Sequence, residues 1–448
     1  MDFISELNQR DDIVIYKFAD DGTIKITADN SQKCVETLDD VLGCLLSWTK
    51  KWRMKVNCDR NKTEVISFHT TERNKELIPK AFKLGDNEIF LVSETKVLGL
   101  TIDQDLSYKQ HSQEVLRSLH AKWAMLCKYS SRHWGFNQNV MIYLIKALFI
   151  SKLSYASHIW ITKENIKEIN KLWYHILKTI TGAVLNISQN IAEVILGLPP
   201  IPIQTKLNSI KHYLKINIKP VPSDKYREFL ATTYNEATKT PSTIHNKFKD
   251  IFRFLQWKLQ HYSPHFNTED KIIVNDKLYS RFFSLTPKSC TYTKELINKY
   301  IESIEWKTAL NNQFQLDGYP VSPNPSCNSL PIPPNTPRES EVKLMSMLYK
   351  NNIMNSSLYK LGKVPSPLCS FCGLQEQTAD HILFSCVAVE EELRTSAICD
   401  FNQAIGDSDV DAAGDYYIGL LNASRDPKFV SSAINIVKTL NLNVTIDL

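Results

Sequence analysis

No apolar run in this chain approaches the roughly 18 residues that span a bilayer, so no membrane helix is predicted. The first residues, Met1-Asp2-Phe3-Ile4-Ser5-Glu6, are acidic where a secretory leader is basic and then apolar. The expectation is an intracellular protein, cytoplasmic or nuclear and not secreted, with unglycosylated Asn-x-Ser/Thr triplets. Ten cysteines spread over 448 residues, without a leader, argue against a disulfide framework. What remains is an ordinary globular composition, 43% hydrophobic and 23% charged, long enough for about three domains.

The net charge of +5 hides a strong asymmetry. From Asp105 to Leu185 there are 11 Lys/Arg against 4 Asp/Glu; from Cys386 to Asp426 there are 2 against 9. The first block suits a polyanion and the second does not.

The richest stretch is Ile13-Val14-Ile15-Tyr16-Lys17-Phe18-Ala19-Asp20-Asp21-Gly22-Thr23-Ile24-Lys25-Ile26. A β-branched run meets Asp-Asp-Gly, and a second run alternates apolar and polar. Asp-Gly between such runs predicts a hairpin turning at Asp21-Gly22, with Asp20 closing the first strand. Two adjacent carboxylates at a rigid tip can hold divalent metal ions, although Asp and Gly are also ordinary turn residues.

Phe18-Ala19-Asp20-Asp21 resembles the (Tyr/Phe)-Ala-Asp-Asp box of reverse transcriptases. The following hundred residues resemble, in order, the palm and thumb of LINE-type (non-LTR) retrotransposon polymerases. The resemblance implies that Asp20 and Asp21 are catalytic and bind Mg2+. Met54 to Phe68 reads as strand, bend, strand, and is similar to the family's next motif, which implies that Lys62 lies near the incoming triphosphate. Ile89 to Val92 and Lys96 to Asp103 read as a further hairpin. Its second half resembles the primer-grip strand, where Gly99 allows close approach of a nucleic-acid backbone or a packed strand.

Ser31 to Trp52 carries apolar residues at three- and four-residue steps and predicts a packing helix. From Leu106 to about Thr181 the periodicity predicts three or four helices with a basic face, and that face includes Lys109, Arg117, Lys122, Lys128 and Arg132. Lysines on helices are commonly just a solvated surface; following a palm, the bundle resembles a thumb gripping an RNA template and an RNA–DNA duplex. Ile195-Leu196-Gly197-Leu198-Pro199-Pro200 predicts a helix with a Gly stop and a Pro block. Residues 219–318 read as mixed helical, with helices at Thr243 to Leu259 and Thr293 to Asn311. Some relatives carry a ribonuclease H domain after the thumb, but no spaced carboxylate set supports one here. Seven of the 19 prolines fall between Pro320 and Pro337, which predicts an extended or disordered linker. Ser340 to Asn351 reads as a short amphipathic helix.

Cys369, Cys372, His381 and Cys386 have the spacing Cys-x2-Cys-x8-His-x4-Cys. Three sulfurs and an imidazole suit a closed structural Zn2+ site. The box also resembles the Cys-Cys-His-Cys motif near the end of LINE-type reading frames, and its role is either nucleic-acid contact or structure and protein docking.

The fold class read from these patterns is α+β, mostly α: a partial palm at 1–104, a helical thumb at 105–185, a helical connector at 186–318, the Pro-rich linker at 319–338, and a zinc-knuckle domain at 339–448. Two-metal chemistry needs a carboxylate from a second place. The only earlier candidates, Asp11 and Asp12, lie along the same strand as Asp20, roughly 26–30 Å away at 3.3 Å per residue. The expectation is a polymerase fragment, incomplete without a missing palm and fingers segment. The alternatives are a nucleic-acid-binding module and a zinc-stapled protein-interaction module.

Overall fold

The fold comes from a computed structural model that describes residues 10–59, 62–68, 78–162, 164–183, 185–205, 208, 306–316, 328–349, 353–406 and 415–440. The expected helix at Thr243 to Leu259, and most of that at Thr293 to Asn311, lie outside the described residues. The described part is a mixed α and β structure with small sheets. No described helix is long and apolar enough to cross a membrane. The chain divides into two compact units, Met1–Leu116 and Arg117–Leu448, and the division falls inside one helix.

In the first unit, β1 (Ile13–Phe18) and β2 (Asp21–Ile26) form the hairpin, but it turns at Ala19-Asp20 and not at Asp21-Gly22. The register pairs Ile13 with Ile26 and Ile15 with Ile24, and this pairing puts all four isoleucines on one face. A turn at Asp21-Gly22 would leave them on that face but set Ile24 opposite Ala19 and Ile26 opposite Lys17. Apolar cross-strand pairing outweighs turn preference; the cost is a positive φ of 54° at Ala19. The isoleucines pack on Val41, Cys44, Leu45 and Trp48 of α1 (Ser31–Trp52). Asn30 caps α1 by accepting from the Lys33 N–H at 2.8 Å.

Another face of α1 covers a three-stranded sheet, in which β5 (Asn87–Val92) lies between β3 (Glu64–Ile66) and β4 (Ala81–Leu84). This corrects two sequence expectations. Met54 to Cys58 forms no strand, and β3 pairs in parallel with β5 instead. Ile89 to Val92 turns back on β4 at Gly85 and does not pair with Lys96 to Asp103. That later segment makes its own hairpin, β6 (Glu94–Val97) with β7 (Leu100–Asp103). Its two turn residues, Leu98 and Gly99, have φ of 48° and 81°, the positive pair that a tight hairpin turn requires.

The helix α2 (Lys109–Cys127) spans the division. Beyond it come α3 (Gln138–Ile145), continued by a π-wound turn at Lys146–Ile150, then α4 (Ile166–Thr181) and α5 (Gln189–Leu196). Gly182 and Gly197 stop α4 and α5 with φ of 66° and 61°. A Cβ on Gly197 would lie 2.4 Å from the Asn328 backbone, so this part of the Pro-rich segment is seated against the helix stop. Leu330 and Ile332 are buried, and the Leu330 N–H donates to the Ile195 carbonyl at 3.2 Å. Residues 328–337 are therefore seated on the helices through Leu330, Ile332 and Thr336, with Asn328, Pro334, Asn335 and Pro337 exposed.

The next helix, α7 (Arg338–Met347; α6 is Lys307–Leu316), is buried on every side, not amphipathic as expected. Its first turn carries a charged pair, Arg338 Nη1 to Glu341 Oε2 at 3.3 Å, with side chains only 2% and 3% exposed. Arg338 also donates to the Ile180 carbonyl at 2.6 Å, at the C-terminus of α4. Glu341 accepts from the Gln138 N–H at 2.9 Å, at the N-terminus of α3. Each charge thus meets the helix end whose dipole favours it. Later helices are α8 (Asn355–Lys360), α9 (Glu391–Ile405), α10 (Asp415–Ala423) and α11 (Pro427–Thr439), with α11 packed on both α7 and α9.

Removing one partner of a buried pair strands the other charge. Arg338→Ala is expected to cost about 3–5 kcal/mol in urea-induced unfolding. A loss below 1 kcal/mol would show the pair to be dispensable.

Glu193 on α5 accepts from Trp173 Nε1 at 3.0 Å and Gln189 Nε2 at 2.9 Å, and burial raises it from 4.5 to about 7. A raised carboxylate stabilises the fold fully below its unfolded value, and that stability is lost as pH rises through the folded one. Stability should therefore fall between pH 4.5 and 7. Glu193→Gln should flatten that segment of the profile in thermal melts; an unchanged slope would remove Glu193 as its source.

Candidate functional site

The four predicted metal ligands converge. Ligand atoms of Cys369, Cys372, His381 and Cys386 all lie within 4.8 Å of one another. Among the described residues this is the one group of three or more His, Cys, Asp or Glu side chains able to hold a metal ion.

The first corner is a tight knuckle. The Cys369 N–H donates to the Gln375 carbonyl and the Gly373 N–H to the Cys369 carbonyl, both at 2.8 Å, and a bridge between Leu368 and Glu376 closes its neck. Gly373 takes a φ of 67°, which turns the chain after Cys372. The second corner is the π-wound turn His381–Ser385. In an α-helix, residue i+5 lies about 140° around the axis from residue i. Here the Cys386 N–H donates to the His381 carbonyl at 2.7 Å, and this wider loop brings His381 and Cys386 to the same site. Phe384 anchors the turn, with its ring 5.0 Å from Phe401 on α9 and 6.3 Å from Phe429 on α11.

The donor set fits zinc. Tetrahedral Zn–S bonds of 2.3 Å place two sulfurs about 3.8 Å apart, and Cys369 Sγ and Cys386 Sγ are 3.9 Å apart. Nε2 of His381 faces the site, 3.1 Å from Cys372 Sγ. Nδ1 lies 3.0 Å from Gln375 Oε1, the outer-sphere partner that fixes a ligating imidazole. Burial lowers His381, which favours the neutral form that binds metal. A backbone N–H from Leu374 lowers Cys372, whereas burial pushes Cys386 up to about 11. A thiolate at Cys386 therefore needs a nearby cation, and a divalent metal supplies one.

The acidic hairpin is a different object. Asp20 lies in the two-residue turn and Asp21 opens β2 opposite Phe18, both exposed. Among the described residues, no third His, Cys, Asp or Glu joins them in a cluster able to hold a metal. Asp12 is engaged elsewhere, in an ion pair with Arg10 at 2.9 Å. Lys62 is exposed at the bend after Asp59, and no hydrogen bond or ion pair among the described residues joins it to Asp20 or Asp21.

The basic residues separate by environment. Lys109, Arg117 and Lys128 are exposed and Arg132 is half-buried. Lys122 braces the bundle, donating to the Leu148 carbonyl at 3.2 Å. Gly99 is exposed in its turn. Sequence reasoning missed the buried pair Arg338–Glu341 and the buried Glu193. Glu193 shows in the sequence only as a charge within the apolar stretch Ile191 to Leu198, whereas Arg338-Glu339-Ser340-Glu341 reads as an ordinary polar surface.

Comparison with known proteins adds the decisive context. No family model matches the chain. A Pol polyprotein from the type-1 retrotransposable element R1 of Bradysia coprophila is 23% identical over 215 residues, 47% of this chain and 21% of that protein. The homologues of this chain are proteins of non-LTR retrotransposons. A second R1 Pol polyprotein, from Nasonia vitripennis, is 21% identical over 44% of this chain and 54% of its own length. The RNA-directed DNA polymerase from the mobile element jockey of Drosophila melanogaster is 18% identical over 48% of this chain and 23% of its own length. The chain thus spans between about a fifth and a half of the relatives it matches.

The metal centre should bind one Co2+ as a probe with intense thiolate charge-transfer absorption, displaced by one equivalent of Zn2+. Cys386→Ser should weaken that binding and lower the melting temperature of the zinc-loaded chain. Equal stability with and without a chelator would mean that the centre holds no structural metal.

Proposed function

We propose that this chain is part of the reverse transcriptase of a non-LTR retrotransposon. Residues 1–104 contribute part of a palm, 105–185 a thumb, 186–318 a connector, 319–338 the Pro-rich crossing, and 339–448 a C-terminal domain stapled by zinc. The observation that carries the reading is Phe18-Ala19-Asp20-Asp21 at a hairpin tip with both carboxylates exposed, in a chain whose homologues include an RNA-directed DNA polymerase.

On this reading Asp20 and Asp21 hold Mg2+ at the primer end, and Lys62 neutralises the incoming triphosphate. The β6–β7 hairpin with Gly99 at its turn supports the primer backbone. Lys109, Arg117, Lys128 and Arg132 contact phosphates of an RNA template or RNA–DNA duplex, and Lys122 supports α2, which carries the first two. Two-metal phosphoryl transfer requires a further carboxylate, which on this reading comes from outside the described residues.

Primer extension on an RNA template with Mg2+ and four deoxynucleotides tests the reading, with Asp20→Ala alongside. The expected result is no incorporation by this chain alone, with template–primer binding that weakens steeply with salt. Four phosphate contacts give a slope of about −3.6 in log K against log salt. Incorporation abolished by Asp20→Ala would overturn the incompleteness of the site. Absence of any binding to template–primer would overturn the polymerase reading itself.

A further inference from the structure

The loop between α2 and α3 is braced at every point except its tip. The Phe136 N–H donates to the Tyr129 carbonyl at 3.1 Å, and the Ser131 N–H donates to the Trp134 carbonyl at 2.9 Å. A bridge between Ser130 and Gly135 closes the neck. Gly135 has a φ of 109°, and a Cβ there would sit 2.3 Å from the Tyr129 carbonyl oxygen, so the two sides touch through backbone. Arg338 Nε donates to the Ser131 carbonyl at 3.3 Å, tying the loop to the buried pair under it.

This rigid loop presents large rings to solvent. Trp134 is 61% exposed, and Tyr129 is 54% exposed with its ring 6.0 Å from that of Phe136. On α3, Tyr143 is 72% exposed and Val140 39%. Lys128 and Lys146, both exposed, flank these rings in sequence. No Asp or Glu occurs between Glu114 and Glu164. The nearest acid in contact is Glu339, 3.8 Å from His133.

An exposed Trp carried on a hydrogen-bonded backbone lowers the entropy cost of binding and marks an anchor. The lack of Asp and Glu between residues 114 and 164, with Lys128 and Lys146 exposed, favours a polyanionic partner. A base pair hides its ring faces inside the stack, whereas an unpaired base offers one. Aromatic rings interleaved with cations are the chemistry that holds single strands.

We propose that Trp134 and Tyr143 stack unpaired bases of a single-stranded nucleic acid while Lys128 and Lys146 meet its phosphates. The proposal rests on the nucleic-acid reading above and narrows it to a strand form and to named residues.

The test compares two labelled probes of equal length and charge, oligothymidylate and an abasic strand, binding to the full chain by fluorescence anisotropy. The base-bearing strand should bind about 10-fold more tightly, within the range of one or two stacking contacts. Trp134→Ala should remove most of that preference and leave abasic binding unchanged; Trp134→Phe should retain it. Tyr143→Ala gives a second, independent loss. Equal affinity for the two strands overturns the proposal and leaves the polymerase reading standing on phosphate contacts. Self-association abolished by Trp134→Ala, without a base preference, assigns the patch to a protein contact and also overturns it.

Discussion

The second unit depends on one buried interaction, the pair Arg338–Glu341. The helix that carries it reads Arg-Glu-Ser-Glu-Val-Lys and would ordinarily lie on a surface, because unpaired buried charge is costly. It is buried because two helix ends supply partners: the Thr179 and Ile180 carbonyls for Arg338 and the Gln138 N–H for Glu341. Those backbone groups are the ones a helix terminus leaves unsatisfied. The pair therefore solves two problems together, capping α3 and α4 while neutralising itself. Lys343 adds an ion pair with Glu339 at 2.7 Å.

The consequences run in both directions along the chain. Arg338 also holds the Ser131 carbonyl, which fixes the exposed aromatic loop. On the other side α7 packs against α11, α11 against α9, and α9 against the π-wound turn that carries His381. The Phe384, Phe401 and Phe429 rings form the last link, with Phe401 and Phe429 5.6 Å apart. Contacts thus run unbroken from the basic helices to the metal centre. The expected division into thumb, linker and knuckle treats these as separate pieces, but residues 328–347 are packed between helices that precede and follow them.

What the sequence revealed, and what it concealed, follows from the range of each signal. The helix at Ser31–Trp52 was legible because its apolar spacing is local. The hairpin was legible as a hairpin, but its turn was misplaced by two residues. Asp21-Gly22 is the better local turn, and only the facing of Ile13 and Ile15 with Ile26 and Ile24 moves it to Ala19-Asp20. The strand Ala81–Leu84 was missed and Met54 to Cys58 was over-read, because a short apolar run does not say which partner it has. The metal ligands were legible from spacing alone. The π winding that makes a His-x4-Cys spacing work was not, since it depends on Phe384 packing against helices from later in the chain.

The charge asymmetry gains meaning from the same geometry. The basic block of 105–185, at +7, and the acidic block of 386–426, at −7, cancel and leave no trace in the net charge of +5. Most of the basic block and all of the acidic one lie in a single unit. A polyanion meeting this unit is drawn to the first and repelled by the second, so the opposed charges orient it rather than merely attract it. Arg425 supports that arrangement: it donates to the Asn328 and Val194 carbonyls and so joins the far end of the acidic segment to α5. The Cys/His cluster joins a π-wound turn packed on α9, whose N-terminal end carries Glu390, Glu391 and Glu392.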